Sequence, residues 1–261
     1  MKIETSQDNE PKNTGWRGSR EIWLDAAKAA FLENGIDAVK IQPLATRLNL
    51  SRTSFYWFFR DRAAILAALL EEWEEKNTGG IVSACEEYAD SVAEATLNVI
   101  GVFFDEDRFE SRFDFAIRGW AHQSSAVMAR VAAADEVRLA AIRSVFERFG
   151  FDPGEADVRA RTIFLVQIGY ISMQVEEPLA LRMERIPAYV KTYCGHSPTR
   201  NELARFQARH GFQPPAGAAP QNACRNYFYK RVLSFPSSHD GADALETTRR
   251  CLACAPRTRR G

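Results

Sequence analysis

Ile41-Gln42-Pro43-Leu44-Ala45-Thr46-Arg47-Leu48-Asn49-Leu50-Ser51-Arg52-Thr53-Ser54-Phe55-Tyr56-Trp57-Phe58-Phe59-Arg60-Asp61-Arg62-Ala63-Ala64-Ile65-Leu66 is the stretch whose reading decides the fold. Ile41 to Leu48 has helical spacing, with Pro43 in its first turn. Amides of a first turn have no partner inside the helix, so proline's missing N–H costs little there. Asn49 follows, a residue type that tolerates the left-handed backbone of a tight turn. Ser51 is a good N-cap for a second short helix, Arg52 to Phe59. Asp61 can cap a long helix through about Lys76. Leu44, Ala45, Leu48, Leu50, Phe55 and Phe59 supply enough apolar surface for two short helices to pack on each other and on a third. Ala45 is small where the two should cross closely.

The second short helix then has another face to account for, made of Arg52, Thr53, Ser54, Tyr56 and Trp57. These types suit a DNA major groove. Arginine forks onto guanine, hydroxyls reach phosphates or base edges, and aromatic rings touch thymine methyls and sugars. Arg62 falls in the first turn of the next helix, where it can neutralise a phosphate.

Working outward, Trp23, Ala26, Ala27, Ala30 and Phe31 form one buried face of a helix from Arg17 to Asn34, and Gly35 stands at its C-cap. Downstream, Asn77-Thr78-Gly79-Gly80 breaks or bends the chain. Helical spacing resumes to about Phe104 and again over about 109–122, 125–149 and 154–176. Pro178 and Pro187 flank a shorter piece, and a last helix is expected from Thr199 to His210. There is no strand-like alternation of useful length and no internal repeat. The expected fold is all-α: an N-terminal three-helix helix-turn-helix domain joined to a helical bundle. Its divisions are a flexible N-terminus over 1–15, the helix-turn-helix domain over 16–60 and a helical domain over 61–212. A basic, disordered tail is expected over 213–261, opened by the linker Pro214-Pro215-Ala216-Gly217-Ala218-Ala219-Pro220.

The 261 residues carry no formal net charge, 46% hydrophobic and 26% charged residues, an ordinary globular composition. The neutrality hides a pattern: net +2 over residues 1–70, −9 over 71–195 and +7 over 196–261. The acidic middle repels polyanions, so nucleic acid must bind near an end of the chain. No apolar run approaches the ~20 residues of a membrane span, and Met1 to Gly15 has no apolar core of a secretory signal. A cytoplasmic location is expected, without membrane association. Five scattered cysteines do not suggest a disulfide framework. No Gly-rich phosphate loop, nucleophile elbow or metal-binding histidine pair is present, so no enzyme, cofactor or metal is expected. Cys251-Leu252-Ala253-Cys254, with Cys224 or His239, sketches a zinc site only weakly.

Over about 50 residues the sequence resembles the tetracycline-repressor (TetR-type) family. The resemblance is carried by Ala26-Ala27, Phe31-Leu32-Glu33-Asn34-Gly35, Leu44-Ala45, Leu48-Asn49-Leu50-Ser51, Phe55-Tyr56, Phe59, Arg62 and Ile65-Leu66. It departs from the pattern at Lys40 for the usual Ser/Thr cap, Asn49 for the turn glycine, Phe58 for a polar residue and Arg62 for lysine. The resemblance implies phosphate contacts from Gln42, Thr53, Tyr56 and Arg62, and base-edge contacts from Arg52, Ser54 and Trp57. It implies a transcriptional regulator, a repressor released from a pseudo-palindromic operator in double-stranded DNA by a small-molecule effector. Activation is the opposite sign. The sequence does not name the effector.

The resemblance also implies that the helical domain over 61–212 binds the effector and dimerises, with a pocket among the middle helices expected at Phe103, Phe104, Phe115, Trp120, His122, Met128 and Met173, large apolar groups with a few polar handles. A homodimer face is expected on the helix of Ile163, Val166, Gln167, Tyr170 and Ile171, with a later helix completing a four-helix bundle. The rival reading is a helical ligand-sensing or protein-interaction module without operator binding, and the departures at Lys40, Asn49 and Phe58 keep it open.

Overall fold

The computed structural model describes residues 18–213, and every regular element among them is helical. The expectations for residues 1–15 and for the tail beyond Gln213 lie outside the described residues, as do Cys224, His239, Cys251 and Cys254.

Short polar side chains set most helix starts. Ser19 opens α1 (Arg20–Asn34) by accepting the Ile22 amide, Ser51 opens α3 (Arg52–Phe55), and Asp61 opens α4 (Arg62–Trp73). Ser91, Ser124 and Asp152 do the same for α6 (Val92–Gly101), α8 (Ser125–Arg148) and α9 (Pro153–Ser172). Thr199 and Glu202 form a reciprocal capping box at α11 (Arg200–Arg209). Lys40 offers α2 (Ile41–Arg47) no side-chain cap, as its chemistry requires. Each cap satisfies amides that would otherwise be unpaired, worth ~1 kcal/mol apiece.

The turn between α2 and α3 is closed by Asn49 in the left-handed region, φ 52°. The Leu50 amide then reaches back to the Ala45 carbonyl at 2.9 Å. α3 ends at Phe55, short of the expected Phe59. The amides of Tyr56, Trp57 and Phe58 each bond three residues back, at 3.2, 3.3 and 3.0 Å, so the chain winds more tightly. Five successive aromatic side chains, Phe55 to Phe59, favour this ending, because each loses rotamer freedom against the preceding turn.

The expected break at Asn77 to Gly80 is a change of winding. Glu74–Thr78 form a π-helical turn that joins α4 to α5 (Gly79–Glu86). Asn77 is buried there, donating to the Glu110 carbonyl at 3.2 Å and accepting from the Glu110 amide at 3.0 Å. Gly80 allows the backbone of Arg108 to lie against it, since a Cβ at this position would sit 2.1 Å from the Arg108 carbonyl oxygen. Pro187 also fails to end a helix. It lies inside α10 (Leu179–Cys194), at the cost of one backbone hydrogen bond.

Two apolar clusters form the interior. One gathers Trp23, Ala27 and Phe31 of α1, Leu44 and Ala45 of α2, Phe55, Phe59, and Ile65, Leu69 and Trp73 of α4. It runs on into Phe113 and Ile117 of α7 (Ser111–Ala121) and Val127, Val131 and Ala134 of α8. The other joins α5, α6, α9, α10 and α11 with Leu139, Ile142, Val145 and Phe146 of the same α8. The packing therefore does not change hands at residue 60. It changes along α8, at Arg138, whose side chain is fully buried.

Candidate nucleic-acid interface and adjoining cavity

α3 and the tighter turn after it present Arg52, Thr53, Tyr56 and Trp57 to solvent, and Gln42 is exposed in the first turn of α2. Tyr56 is 48% and Trp57 64% exposed, beside a Phe55 that is fully buried. Phe55 meets the Trp23 ring edge-on at 5.4 Å and stacks on Phe59 at 5.5 Å, which fixes the rotation of α3. The Arg52 guanidinium donates to the Tyr56 hydroxyl at 3.3 Å, so these two side chains stand together on the outer face.

Two residues assigned to this face by sequence are engaged elsewhere. Ser54 is buried, its hydroxyl 2.9 Å from that of Ser51, which caps the same helix. It completes the cap and does not point to a base edge. Arg62 turns inward and donates to the carbonyls of Val39 at 2.6 Å and Ile36 at 2.7 Å. It ties the first turn of α4 to the 36–39 connection, which leaves it poorly placed for phosphate. Among nearby cations, Arg47 is held by Glu33 and Arg60 by Asp61, while Arg20 lies over the Phe59 ring at 5.3 Å.

Behind this domain lies a cavity of about 800 Å³. One wall is the end of α1 and the turn after it, Phe31, Leu32, Gly35 and Ile36. The opposite walls come from Phe103, from Phe115, Gly119 and Trp120 of α7, from the C-terminal part of α9 and the residues after it, and from Arg182 of α10. Three of the expected pocket residues, Phe103, Phe115 and Trp120, thus line one cavity. Phe104 faces a smaller neighbouring void, with Arg182 and Tyr189. His122, Met128 and Met173 do not line the cavity. All three are solvent-exposed, because His122 caps the end of α7 and the other two lie on outward faces of α8 and α9.

The expected dimer residues are also placed differently. Ile163 is fully buried, and Gln167, 8% exposed, lines the cavity. Val166 packs on the core, while Tyr170 lines the cavity and places its hydroxyl 3.0 Å from that of Tyr189. The outward row of α9 is Val158, Thr162 and Leu165, continued by Met173 just past its end, with Val158 63%, Leu165 60% and Met173 77% exposed. Apolar residues occur on both sides of this helix, so periodicity alone could not choose between them.

The charged cluster between the two cores was not legible in the residue pattern. The Asp114 carboxylate of α7 accepts from Trp73 Nε1 at 2.9 Å, Arg138 Nη1 at 3.0 Å and Arg118 Nε at 2.7 Å. Arg118 forks onto Asp135 at 2.8 and 2.7 Å, and Arg138 donates to the Thr78 hydroxyl at 2.9 Å. The Arg138 guanidinium lies 4.7 Å over the Trp73 ring. Burial alone would raise the Asp114 carboxyl, yet the Arg138 and Arg118 guanidinium groups and their hydrogen bonds hold it below the usual carboxylate range. A second link, Lys28 of α1, pairs with Glu72 of α4 at 2.8 Å and Glu110 ahead of α7 at 2.5 Å. α7 therefore lines the cavity with one face and grips α4 with the other.

Among the described residues no group of three His, Cys, Asp or Glu side chains is placed to hold a metal, and no helix is long and apolar enough to cross a membrane.

A recognition helix offered on an aromatic core, a long following helix and a helical bundle behind it define a helix-turn-helix regulator. Residues 24–69 match the family model of the bacterial regulatory proteins of the tetR family. These residues therefore carry the DNA-binding domain that the family model describes. No curated protein matches the sequence. Among solved structures, the chain is similar to a transcriptional regulator (TerR/AcrR family) from Aquifex aeolicus VF5, with 17% identity over 67% of this chain and 99% of that one, TM-score 0.55. It is similar to Mycobacterium smegmatis AmtR with 20% identity over 80% of this chain and 100% of that one, TM-score 0.53. At such identities the likeness speaks for the fold alone.

Proposed function

We propose that the protein is a homodimeric repressor whose hold on a pseudo-palindromic operator is released by a small molecule in the 800 Å³ cavity. The observation that carries this reading is the cavity's wall: Phe31, Leu32, Gly35 and Ile36 belong to the DNA-binding domain, while Phe115, Trp120, Gln167 and Tyr170 belong to the bundle. An occupant touches both. Repacking α7 around it moves Asp114, and with it the Trp73 end of α4, so the lever and the end of α1 shift together. A coupling of ~1–3 kcal/mol is enough to change operator occupancy by one to two decades.

In the dimer, each recognition helix enters a major groove with Arg52 and Trp57 toward base edges and Gln42, Thr53 and Tyr56 toward the backbone. The partner covers the outward row Val158, Thr162 and Leu165 of α9, with Met173 at its end, and the row Ala180, Glu184, Ala188 and Thr192 of α10. Two helices from each subunit then make a four-helix bundle.

Selection of random duplex DNA by the purified protein, with Tyr56→Ala as control, tests this. A two-fold symmetric site enriched by the native protein and lost in the variant supports a dimeric operator-binding protein. No enrichment at low salt would overturn it and favour a ligand-sensing module without operator binding. Leu165→Glu, which puts charge on the exposed row, should yield a monomer in analytical ultracentrifugation that no longer retains the full site.

A further inference from the structure

Arg182 is the half-buried cation of the cavity. It is shared by the large cavity and the small void beside it. Its guanidinium lies 4.0 Å over the Phe104 ring and 5.9 Å from the Tyr170 ring. Among the described residues it makes no ion pair and no hydrogen bond. Glu177, the carboxylate whose charge reaches it, is already spent: it is paired with Arg185 at 2.6 Å and accepts from the Tyr170 hydroxyl at 3.4 Å. Burial pulls the Arg182 pKa below the ordinary guanidinium value, so the site holds a charge that has lost water and gained no counter-ion.

The other charges of the lining, Arg112 and Glu176, are exposed and of opposite sign. They leave the interior with the arginine's charge. The rest of the lining includes the rings of Phe31, Phe103, Phe115 and Trp120, and Gln123, Gln167 and Gln174 supply neutral polar groups. A cavity of this size takes a drug-sized molecule. Desolvated guanidinium recovers its lost hydration best from a carboxylate, which it can hold through two parallel hydrogen bonds.

We infer that the cavity selects amphipathic organic carboxylates, with the carboxylate seated on Arg182 and a flat or chain-like apolar body against Phe31, Phe115 and Trp120. The inference rests on the reading of this cavity as the effector site. It concerns binding, which is measured without DNA. A carboxylate that binds but leaves operator affinity unchanged would remove the proposed switch and leave the ligand class standing.

The test is calorimetric titration of the full chain with 2-naphthoate and decanoate, each paired with its uncharged primary amide. At least one acid should bind the native protein about tenfold or more tighter than its amide, the size of a charge-assisted contact. Arg182→Gln should erase that preference while the amide still binds. Gly119→Phe keeps Arg182 but fills the space, since a Cβ at Gly119 meets nothing within 4 Å, and it should block acid and amide alike. Thermal unfolding of both variants checks that they fold. Amides binding as tightly as acids, Arg182→Gln retaining the preference, or neither acid binding at millimolar concentration would each overturn the inference.

Discussion

The helix-turn-helix end and the waist of the molecule hold helices together by opposite means. In the first, α1, α2 and α3 are fixed by rings packed edge to face, by caps within three residues and by one left-handed turn. At the waist, α4, α7 and α8 and the π-helical turn meet on the fully buried Asp114–Arg138 pair and the partners around it, joined across 24 to 60 positions of the chain. Apolar packing tolerates small adjustments, whereas a buried ion cluster has few arrangements that leave no charge unpaired. The contrast teaches where the helices resist adjustment: the waist moves as a unit or not at all, and α7, which belongs to it, also lines the cavity.

The largest expected effect breaks the waist. Asp114→Ala leaves Arg138 buried without its carboxylate and should cost about 3–5 kcal/mol in chemical unfolding. Acid should do the same more gently. Because the Asp114 carboxyl is held below its ordinary value in the folded state, its contribution is complete above the unfolded value near pH 4 and is lost as pH falls through the folded value. A stability profile over that range should slope downward in the native protein and flatten in Asp114→Asn; equal slopes would show that the cluster is not what acid attacks.

Arg62 sharpens the comparison, because it is the place where the upper domain borrows the waist's method. Arg62→Ala frees the Val39 and Ile36 carbonyls and should lower stability by about 2 kcal/mol. Had Arg62 served chiefly as a phosphate contact, the variant would keep its melting temperature and lose salt dependence instead. Arg52→Ala should show the reverse pattern, with stability within about 0.5 kcal/mol of native and operator affinity weaker by about 1–3 kcal/mol at one base position. The smallest effect is at Asn49, where glycine accepts the observed φ of 52° without strain. Asn49→Gly should change stability by less than about 1 kcal/mol and leave DNA binding intact.

The same contrast explains what could be read in advance. Ser51, Asp61 and Asn49 act within three residues of themselves, so their chemistry is written locally, and the helix-turn-helix followed from them. Ser54 and Arg62 were misplaced by the same local reasoning. A hydroxyl or guanidinium is equally fit for DNA and for a neighbouring backbone, and only the rotation of the helix decides. The faces of α9 were ambiguous because Ile163 and Leu165 are equally apolar, yet one fills the core and the other faces solvent. Arg138 was invisible: in an alanine-rich helix it looks like a solvated residue, and Asp114 lies 24 residues away. The cavity was half legible, since aromatic residues of one helix could be grouped but the contribution of α1 and Arg182 depends on how distant elements meet.

The π-helical turn at Glu74–Thr78 carries a consequence best put in codons. An α-helix rotates the chain by ~100° per residue, so one residue too many or too few re-aims everything beyond it. The extra residue wound into this turn keeps Trp73 pointing at Asp114 while Gly80 still faces the Arg108 backbone. Loss of a single codon here would spare the rod and shorten it by only ~1.5 Å, yet put those two contacts out of phase. In this segment, spelling is more forgiving than length.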